Sequence, residues 1–124
     1  MAYTARMSPS DRRSECPIAS SLDVLGDKWT LLVVRDLLDG KRRFSEFERS
    51  PEGIPSNILT DRLRRLEAAG LAERVQQGET SRFDYHPTGA TWALRPVLLA
   101  LASWGNEFLD DTWIPPADYL APPT

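Results

Sequence analysis

Side chains that can hydrogen-bond to nucleic-acid bases recur along residues 56–65. Leu59, Leu63 and Leu66 repeat at three- and four-residue spacing, which predicts a helix with these leucines on its buried face. The polar residues that then lie on the exposed face or its flank are Ser56, Asn57, Thr60, Asp61, Arg64 and Arg65. Asparagine can pair with adenine and arginine with guanine through two hydrogen bonds each, while threonine can touch a thymine methyl or a phosphate. The spacing therefore indicates a helix that reads base edges in the major groove of DNA.

Two charged residues of this helix allow more than one interpretation. Asp61 can accept a hydrogen bond from cytosine, but phosphates repel a carboxylate, so Asp61 can also serve to exclude wrong sites. Arg62 lies nearer the buried face, where an ion pair within the protein and a phosphate contact are equally compatible with its position. Any surface helix shows polar residues outward, so the elements around this one must decide whether it binds DNA.

The neighbouring elements favour DNA binding. After Ala69-Gly70-Leu71 the chain runs without a linker into a predicted strand over residues 72–77, a polar turn over 78–81 and a second strand over 82–85. A helix followed directly by a two-stranded ribbon is the winged form of the helix-turn-helix, which presents a helix to the major groove and a loop to the adjacent backbone or minor groove. Arg82 on this wing can reach the minor groove or pair with acidic neighbours.

Charge is distributed unevenly along the chain. The 124 residues carry a net charge of −3, which by itself argues against a nucleic-acid partner. Residues 41–82, however, hold 9 basic and 7 acidic side chains, whereas residues 83–124 hold 1 and 5. The basic residues include Lys41, Arg42 and Arg43, which can contact phosphates or simply remain solvated. Because DNA responds to the local field, we expect a modest, salt-sensitive affinity.

Composition excludes several other classes of protein. A length of 124 residues with 41% hydrophobic content suits a single globular domain. No apolar run approaches the ~20 residues of a membrane helix, and the first ten residues lack the apolar core of a secretory signal, so we expect a cytoplasmic protein without membrane contact. One cysteine and one histidine provide neither a disulfide framework nor a metal-ligand cluster, and no motif requires a cofactor.

The remaining elements are predicted to be helical. A flexible arm over residues 1–15 precedes helices over residues 17–25 and 28–38, the second capped by Asp27. A long helix over residues 89–111 carries an apolar stripe, and Pro96 should kink it or shift its start. The prolines after Trp113 suggest an extended or disordered tail. We therefore predict an arm (1–15), a winged-helix domain (16–112) and a Pro-rich tail (113–124), mainly α with a small β-hairpin and a long C-terminal dimerisation helix.

Several short motifs occur in a fixed order along the chain. They are Cys16-Pro17-Ile18, Leu25-Gly26-Asp27-Lys28-Trp29, Arg43-Phe44-Ser45-Glu46-Phe47 and the run from Leu59 to Glu67. Over about residues 16–109 the chain resembles the HxlR family of bacterial winged-helix transcriptional regulators. The resemblance implies a homodimer, joined through its first helix and its long C-terminal helix, on a palindromic operator. Pro55, Asn57 and Asp61 depart from the residues common in the family, so the operator sequence cannot be carried over.

Cys16 stands just before a helix that starts with proline. The positive end of the helix dipole and the nearby Arg12 and Arg13 favour its reactive thiolate, whereas Glu15 opposes it. In the family that the chain resembles, some members sense oxidants or electrophiles through a cysteine at this position. The alternative is a small packing residue at a dimer contact. A nucleophilic pair of Cys16 with His86 is conceivable, but no further catalytic motif accompanies it, so we expect no enzyme activity.

We interpret the chain as a homodimeric winged-helix regulator, a repressor in the simplest case, that binds double-stranded DNA. One alternative is a winged-helix module that binds protein instead of DNA, which the acidic net charge would suit. Another is a sensor of an oxidant or an aromatic small molecule, whose ligand enters an aromatic dimer interface near Trp29, Trp92 and Trp104.

Overall fold

The computed structural model describes residues 12–123, which are mainly helical with one β-hairpin. The elements of this described part are α1 (Pro17–Leu25), α2 (Thr30–Leu38), α3 (Phe44–Glu48), α4 (Ser56–Ala68), β1 (Glu73–Gln76), β2 (Phe83–His86), α5 (Gly89–Trp92) and α6 (Arg95–Phe108). The predicted winged helix-turn-helix is confirmed, with α3 and α4 as its two helices and the hairpin as its wing. Most of the predicted N-terminal arm lies outside the described residues. None of the described helices is long and apolar enough to cross a membrane.

The core lies where α2, α3 and α4 meet. Leu59, Leu63 and Leu66 are at most 1% exposed, as their spacing predicted, and they share this core with the fully buried Leu37 and Phe47. Each such side chain contributes about 1.5–3 kcal/mol by leaving water. Because three leucines of α4 are fixed in the core, the rotation of this helix about its axis is fixed as well. The face that α4 shows to solvent follows from that.

Helix α2 begins two residues later than predicted. The sequence suggested Lys28 as its first residue, whereas the helix starts at Thr30. The N-cap position is Trp29 rather than the predicted Asp27, and the Trp29 side chain makes no capping bond. Asp27 lies two residues earlier, where its Oδ1 accepts hydrogen bonds from the backbone N–H groups of Trp29 (2.8 Å) and Thr30 (3.0 Å). The residues between Asp27 and the helix form a turn.

The wing is a short antiparallel hairpin whose strands pair over four residues each. β1 is one residue shorter at each end than the predicted strand over 72–77, and β2 lies one residue later than the predicted 82–85. Gly78 in the connecting turn has φ +61°, a conformation that favours glycine. Tyr85 joins the wing to the helix-turn-helix, since its N–H donates to the carbonyl of Arg42 (2.8 Å) and its ring meets Phe47 edge-on.

The predicted C-terminal helix over residues 89–111 is divided in two and ends at Phe108, and the break confirms the prediction that Pro96 shifts the start of a helix. Thr88 caps α5 as predicted, through its side chain and the N–H of Thr91, but α5 ends at Trp92 and α6 begins at Arg95. Pro96 is the second residue of α6. A proline lacks an N–H and its ring crowds the carbonyl four residues earlier, here that of Trp92, so the helix stops and starts again.

The C-terminal segment folds back onto the domain, so the expected extended or disordered tail is wrong for its last part. Leu120 is 5% exposed and belongs to the core. Arg95 of α6 donates from Nε to the carbonyl of Tyr119 (3.0 Å), and the ring of Tyr119 meets Trp113 edge-on with centroids 5.2 Å apart. The proline content pointed to disorder, but two packed side chains and two hydrogen bonds from Arg95 hold the segment in place.

Candidate nucleic-acid interface

Helix α4 presents the predicted polar residues to solvent. Its exposed or partly exposed side chains include Ser56, Asn57, Thr60, Asp61, Arg64 and Arg65. Asn57 and Arg64 lie seven residues apart, close to two turns, so they share one side of the helix. Neither side chain has a hydrogen-bond or ion-pair partner within residues 12–123. Both are therefore free to pair with base edges.

The hydroxyl groups of Ser56 and Thr60 are already used within the protein. Ser56 donates to Glu48 of α3 (Oγ to Oε2, 2.5 Å), and Thr60 donates to the backbone carbonyl of Ser56 (2.9 Å). The first bond joins the two helices across their turn and places a carboxylate at the start of α4, where the helix dipole favours negative charge. A contact of either hydroxyl with a phosphate therefore requires an exchange of partners.

Asp61 is paired with two arginines of its own helix. It contacts Arg65 one turn later (Nε to Oδ2, 2.9 Å) and the neighbouring Arg62. Two guanidinium groups balance this carboxylate, so Asp61 repels a phosphate less than an isolated charge would. Arg65 remains 65% exposed, which leaves most of its donors accessible.

Arg62 forms the internal ion pair that was one of its two expected roles. Its Nε lies 2.9 Å from Asp27 Oδ1, and its side chain is only 15% exposed. Burial alone raises the pKa of Asp27, but hydrogen bonds from Thr30, from Arg62 and from two backbone N–H groups hold this pKa well below its usual range. The bond to Asp27 raises the pKa of Arg62 in turn. The pair ties the start of α2 to α4.

The three cations of the basic run Lys41-Arg42-Arg43 have different surroundings. Lys41 donates to Ser50 Oγ (2.9 Å). Arg42 donates from Nη1 to the backbone carbonyls of Leu37 (2.9 Å) and Lys41 (2.8 Å), an internal role that its place in the sequence did not reveal. Arg43 is exposed, and its side chain has no partner in the described part of the chain. Of the three, Arg43 is the best placed to reach a phosphate.

The fold brings Arg43 together with Arg82, which lies far away in the sequence. Both line a groove of about 370 Å³ between the start of α3 and the wing, next to the aromatic rings of Phe44 and Tyr85. Arg82 is exposed, and no acidic side chain pairs with it within the described residues. Two free guanidinium groups beside one groove concentrate positive potential where the wing meets the helix-turn-helix.

The turn between α3 and α4 is braced by groups that the sequence analysis did not single out. Arg35 of α2 donates two hydrogen bonds to the carboxylate of Glu52 (2.8 and 2.7 Å), and the buried Asp36 accepts one from Ser50. The Arg35–Glu52 bonds lower the pKa of Glu52 and raise that of Arg35. Because this turn leads directly into α4, the brace fixes where α4 begins. The two partners lie 17 residues apart, a separation that no recognised motif would have signalled.

Cys16 is exposed and directly precedes α1 as its N-cap residue. Arg13, which was expected to favour the thiolate of Cys16, pairs instead with Asp23 of α1 (2.5 Å). A guanidinium held by a carboxylate adds less positive potential at a neighbouring thiol than an unpaired one. The N-terminus of α1 remains a local source of positive potential.

Helices α1 and α6 expose large apolar side chains, and neither helix has a buried residue. The exposed apolar residues on these helices and just beyond α6 are Ile18, Leu22, Val97, Leu101, Trp104, Phe108, Leu109, Trp113 and Ile114. The rings of Trp104 and Phe108 contact each other, with centroids 5.4 Å apart. Large apolar side chains exposed on two helices in this way indicate a contact surface for another molecule.

The three tryptophans that were expected near an aromatic interface have different surroundings. Trp29 and Trp92 pack against the core, whereas Trp104 is 58% exposed. The alternative of a ligand that enters an aromatic dimer interface near these residues stays a prediction. Residues 12–123 also contain no group of three or more histidine, cysteine or acidic side chains that could hold a metal ion.

Known proteins with similar sequences and structures identify the family. The HxlR-like helix-turn-helix family profile matches residues 24–112. The HTH-type transcriptional regulator YdeP of Bacillus subtilis is 35% identical over 102 residues, which cover 82% of this chain and 80% of YdeP. Among solved structures, PA1607 matches with a TM-score of 0.76 at 38% identity, covering 85% of this chain and 75% of PA1607. The redox regulator HypR in its reduced form matches with a TM-score of 0.69 at 35% identity, covering 77% of this chain and 95% of HypR. The chain therefore belongs to the HxlR-like helix-turn-helix family of transcriptional regulators.

Proposed function

We propose that the protein is a homodimeric regulator that represses transcription by binding a palindromic DNA operator through α4 and the wing. The observation that carries this proposal is the pair Asn57 and Arg64, unpaired on one side of a helix whose other side is fixed in the core. Asparagine and arginine are the side chains that pair with adenine and guanine through two hydrogen bonds. Since neither has an internal partner in the described chain, contact with a base breaks no bond of the protein.

The other polar residues divide between base reading and phosphate contact. We assign base edges to Asn57, Thr60, Asp61 and Arg64, and phosphates or the minor groove to Ser56, Arg43, Arg65 and Arg82. Arg42 stabilises this surface through contacts inside the protein. Its guanidinium donates to the carbonyl of Leu37 near the end of α2, and its own backbone carbonyl accepts a hydrogen bond from the N–H of Tyr85 on the wing. Action on chromosomal DNA is consistent with the cytoplasmic location expected from the sequence.

A second copy of the chain completes the DNA-binding unit in this proposal. The apolar side chains exposed on α1 and α6 support it, because burial against another copy removes them from water. A two-fold symmetric dimer suits an operator with two-fold symmetry, whose half-sites lie about 34 Å apart, one turn of DNA.

The direct test is selection of bound duplexes from a random-sequence library by the purified protein. We expect an inverted repeat with half-sites centred one helical turn apart, and loss of one base preference per half-site with Arg64→Gln. Retention of duplexes that share no sequence would contradict base reading. Failure to retain any duplex even at low salt would favour the alternative, a winged-helix module that binds protein.

A second candidate function is redox control through Cys16. The exposed thiol at the start of α1 favours it, as does the similarity to HypR, which is a redox regulator. Oxidation can join the Cys16 thiols of two chains in one disulfide, with two electrons and two protons passing to the oxidant. It can instead join each Cys16 to a small free thiol, and each such mixed disulfide also passes two electrons and two protons to the oxidant. Because α1 carries part of the exposed apolar surface, either product would change the distance between the two α4 helices of a dimer.

Redox control is tested by operator affinity before and after treatment with diamide, in the wild type and in Cys16→Ser. We expect diamide to weaken operator binding by the wild type and to leave Cys16→Ser unchanged. Equal affinities in all four samples would leave Cys16 as a packing residue.

A further inference from the structure

A groove of about 590 Å³ lies between α1 and the C-terminal half of α4. Its walls are largely aliphatic and include Val24 and Leu25 of α1, Leu66 of α4, and Leu71 and Leu94 farther along the chain. A space of this volume with an apolar lining is typical of sites that bind small organic molecules. We call it the α1–α4 groove.

Two charged side chains line the α1–α4 groove, Asp23 and Arg65. Asp23 is already paired with Arg13 (2.5 Å). Arg65 uses its Nε for Asp61 (2.9 Å), and since a guanidinium has five N–H donors, its remaining donors stay available. The groove can therefore still bind a negatively charged group of a ligand, through the remaining donors of Arg65.

We propose that the α1–α4 groove binds a small organic anion, with an apolar or aromatic body and one carboxylate, and that Arg65 holds this carboxylate. Arg65 is also the one residue of the assigned DNA-contacting set that lines the groove. The bound anion holds its guanidinium away from phosphate, so the ligand weakens DNA binding, and DNA weakens ligand binding by the same factor. The effect on DNA rests on the proposed function, whereas the ligand site does not.

The groove need not be filled by a second copy of the chain. Ile18 and Leu22, the exposed apolar residues of α1, are not among its walls. A dimer contact made through these two side chains leaves the groove open to a small molecule.

The ligand site is tested by calorimetric titration of the full chain with naphthoate and with naphthalenemethanol, which carries the same rings without the charge. We expect one naphthoate per chain and an affinity for the alcohol that is weaker by about tenfold or more, because a charge-assisted hydrogen bond is lost. Arg65→Gln should reduce the naphthoate affinity to that of the alcohol. Arg49→Gln, at an exposed arginine outside the groove, is the matched control and should bind naphthoate as the wild type does. Ala68→Leu, which adds bulk to the groove wall, should weaken both compounds.

Absence of naphthoate binding at millimolar concentration, or equal binding by Arg65→Gln and the wild type, would overturn the site. So would an Ala68→Leu variant that loses the dimer mass in light scattering but keeps its affinity for naphthoate, since a second copy would then occupy the groove. The coupling is measured separately, by titrating the selected operator with and without saturating naphthoate. An operator affinity that naphthoate leaves unchanged would refute only the coupling between ligand and DNA. A wild-type chain that binds no DNA would refute the proposed function, but the calorimetric evidence for the ligand site would stand.

Discussion

Arginines of this chain perform two kinds of task, and their neighbours decide which. Arg62 and Arg42 are held by oxygen atoms inside the protein, whereas Arg43, Arg64 and Arg82 are exposed and without side-chain partners among residues 12–123. Charge counts along the sequence cannot separate these groups, because the partners that decide come from other elements of the fold. The unpaired arginines are the ones that can meet phosphates and bases.

Replacing Arg64 with glutamine should cost about 1–3 kcal/mol of binding free energy on the selected operator and little on random DNA, because a base contact is specific. Arg43→Gln provides the comparison. Loss of a phosphate contact should weaken both duplexes alike and reduce the slope of log affinity against log salt by about 1. Fluorescence anisotropy with both duplexes over a series of salt concentrations measures both effects. Equal losses on the two duplexes for Arg64→Gln would remove base reading from this residue.

Asp27 should make the stability of the fold depend on pH. Its pKa in the folded protein lies below the value of about 3.9 that an unfolded aspartate has, despite partial burial, because Thr30, Arg62 and two backbone N–H groups donate to it. The carboxylate therefore stabilises the fold fully above pH ~4, and this stabilisation is lost as the pH falls through the folded pKa. Asp27→Asn leaves Arg62 without this partner, so it should lower the free energy of unfolding at neutral pH by about 1–3 kcal/mol.

Urea unfolding at neutral and at acidic pH measures this contribution. The difference between wild type and Asp27→Asn should shrink as the solution becomes acidic. Glu79→Gln removes the same charge in the exposed turn of the wing and should change the stability little at either pH. A difference between wild type and Asp27→Asn that stays constant down to acidic pH would mean that the carboxylate charge is not what stabilises the fold.

At the scale of elements, periodicity predicted the structure best where one face is apolar and the ends are marked. Helix α4 and the wing were both predicted close to their observed positions. The signals were the spacing of the three leucines for α4 and the polar turn for the wing. In the C-terminal part, by contrast, the apolar residues continue on both sides of the break between Trp92 and Arg95. Pro96 was therefore the only sign in the sequence that the helix is interrupted there. The groove shared by Arg43 and Arg82 was not predictable from spacing, because it depends on how the hairpin packs beside α3.

The tail is the element whose fate depends most on tertiary structure. Leu120→Ala should lower the free energy of unfolding by about 2–5 kcal/mol, because a buried leucine leaves a cavity in the core. Pro122→Ala, two residues later and exposed, is the control and should have little effect. Both are measured by urea unfolding. A loss below about 0.5 kcal/mol for Leu120→Ala, within the range of ordinary surface substitutions, would show that the tail is not anchored in solution.

For the whole molecule, the net charge of −3 is a poor guide to its partner. Arg43, Arg64 and Arg82, which are unpaired in the described chain, lie on the helix-turn-helix and the wing, whereas the chain beyond residue 82 carries 1 basic and 5 acidic side chains. A DNA phosphate near α4 therefore meets a positive field although the molecule as a whole is acidic.

The exposed apolar surface on α1 and α6 should make the chain a dimer at low micromolar concentration, with a mass by light scattering of twice 14.0 kDa. Leu101→Arg places a charge in the middle of this surface and should give a monomer, whereas Ser103→Arg adds the same charge at an exposed position about 200° around α6 and should remain dimeric.

DNA binding provides a second measurement. If each protomer neutralises about three to five phosphates, the slope of log affinity against log salt should lie near −5 to −9 for the dimer and at about half that value for the monomer, because counterion release scales with the phosphates contacted. A Leu101→Arg chain that keeps both the dimer mass and the full slope would place the dimer contact elsewhere on the molecule.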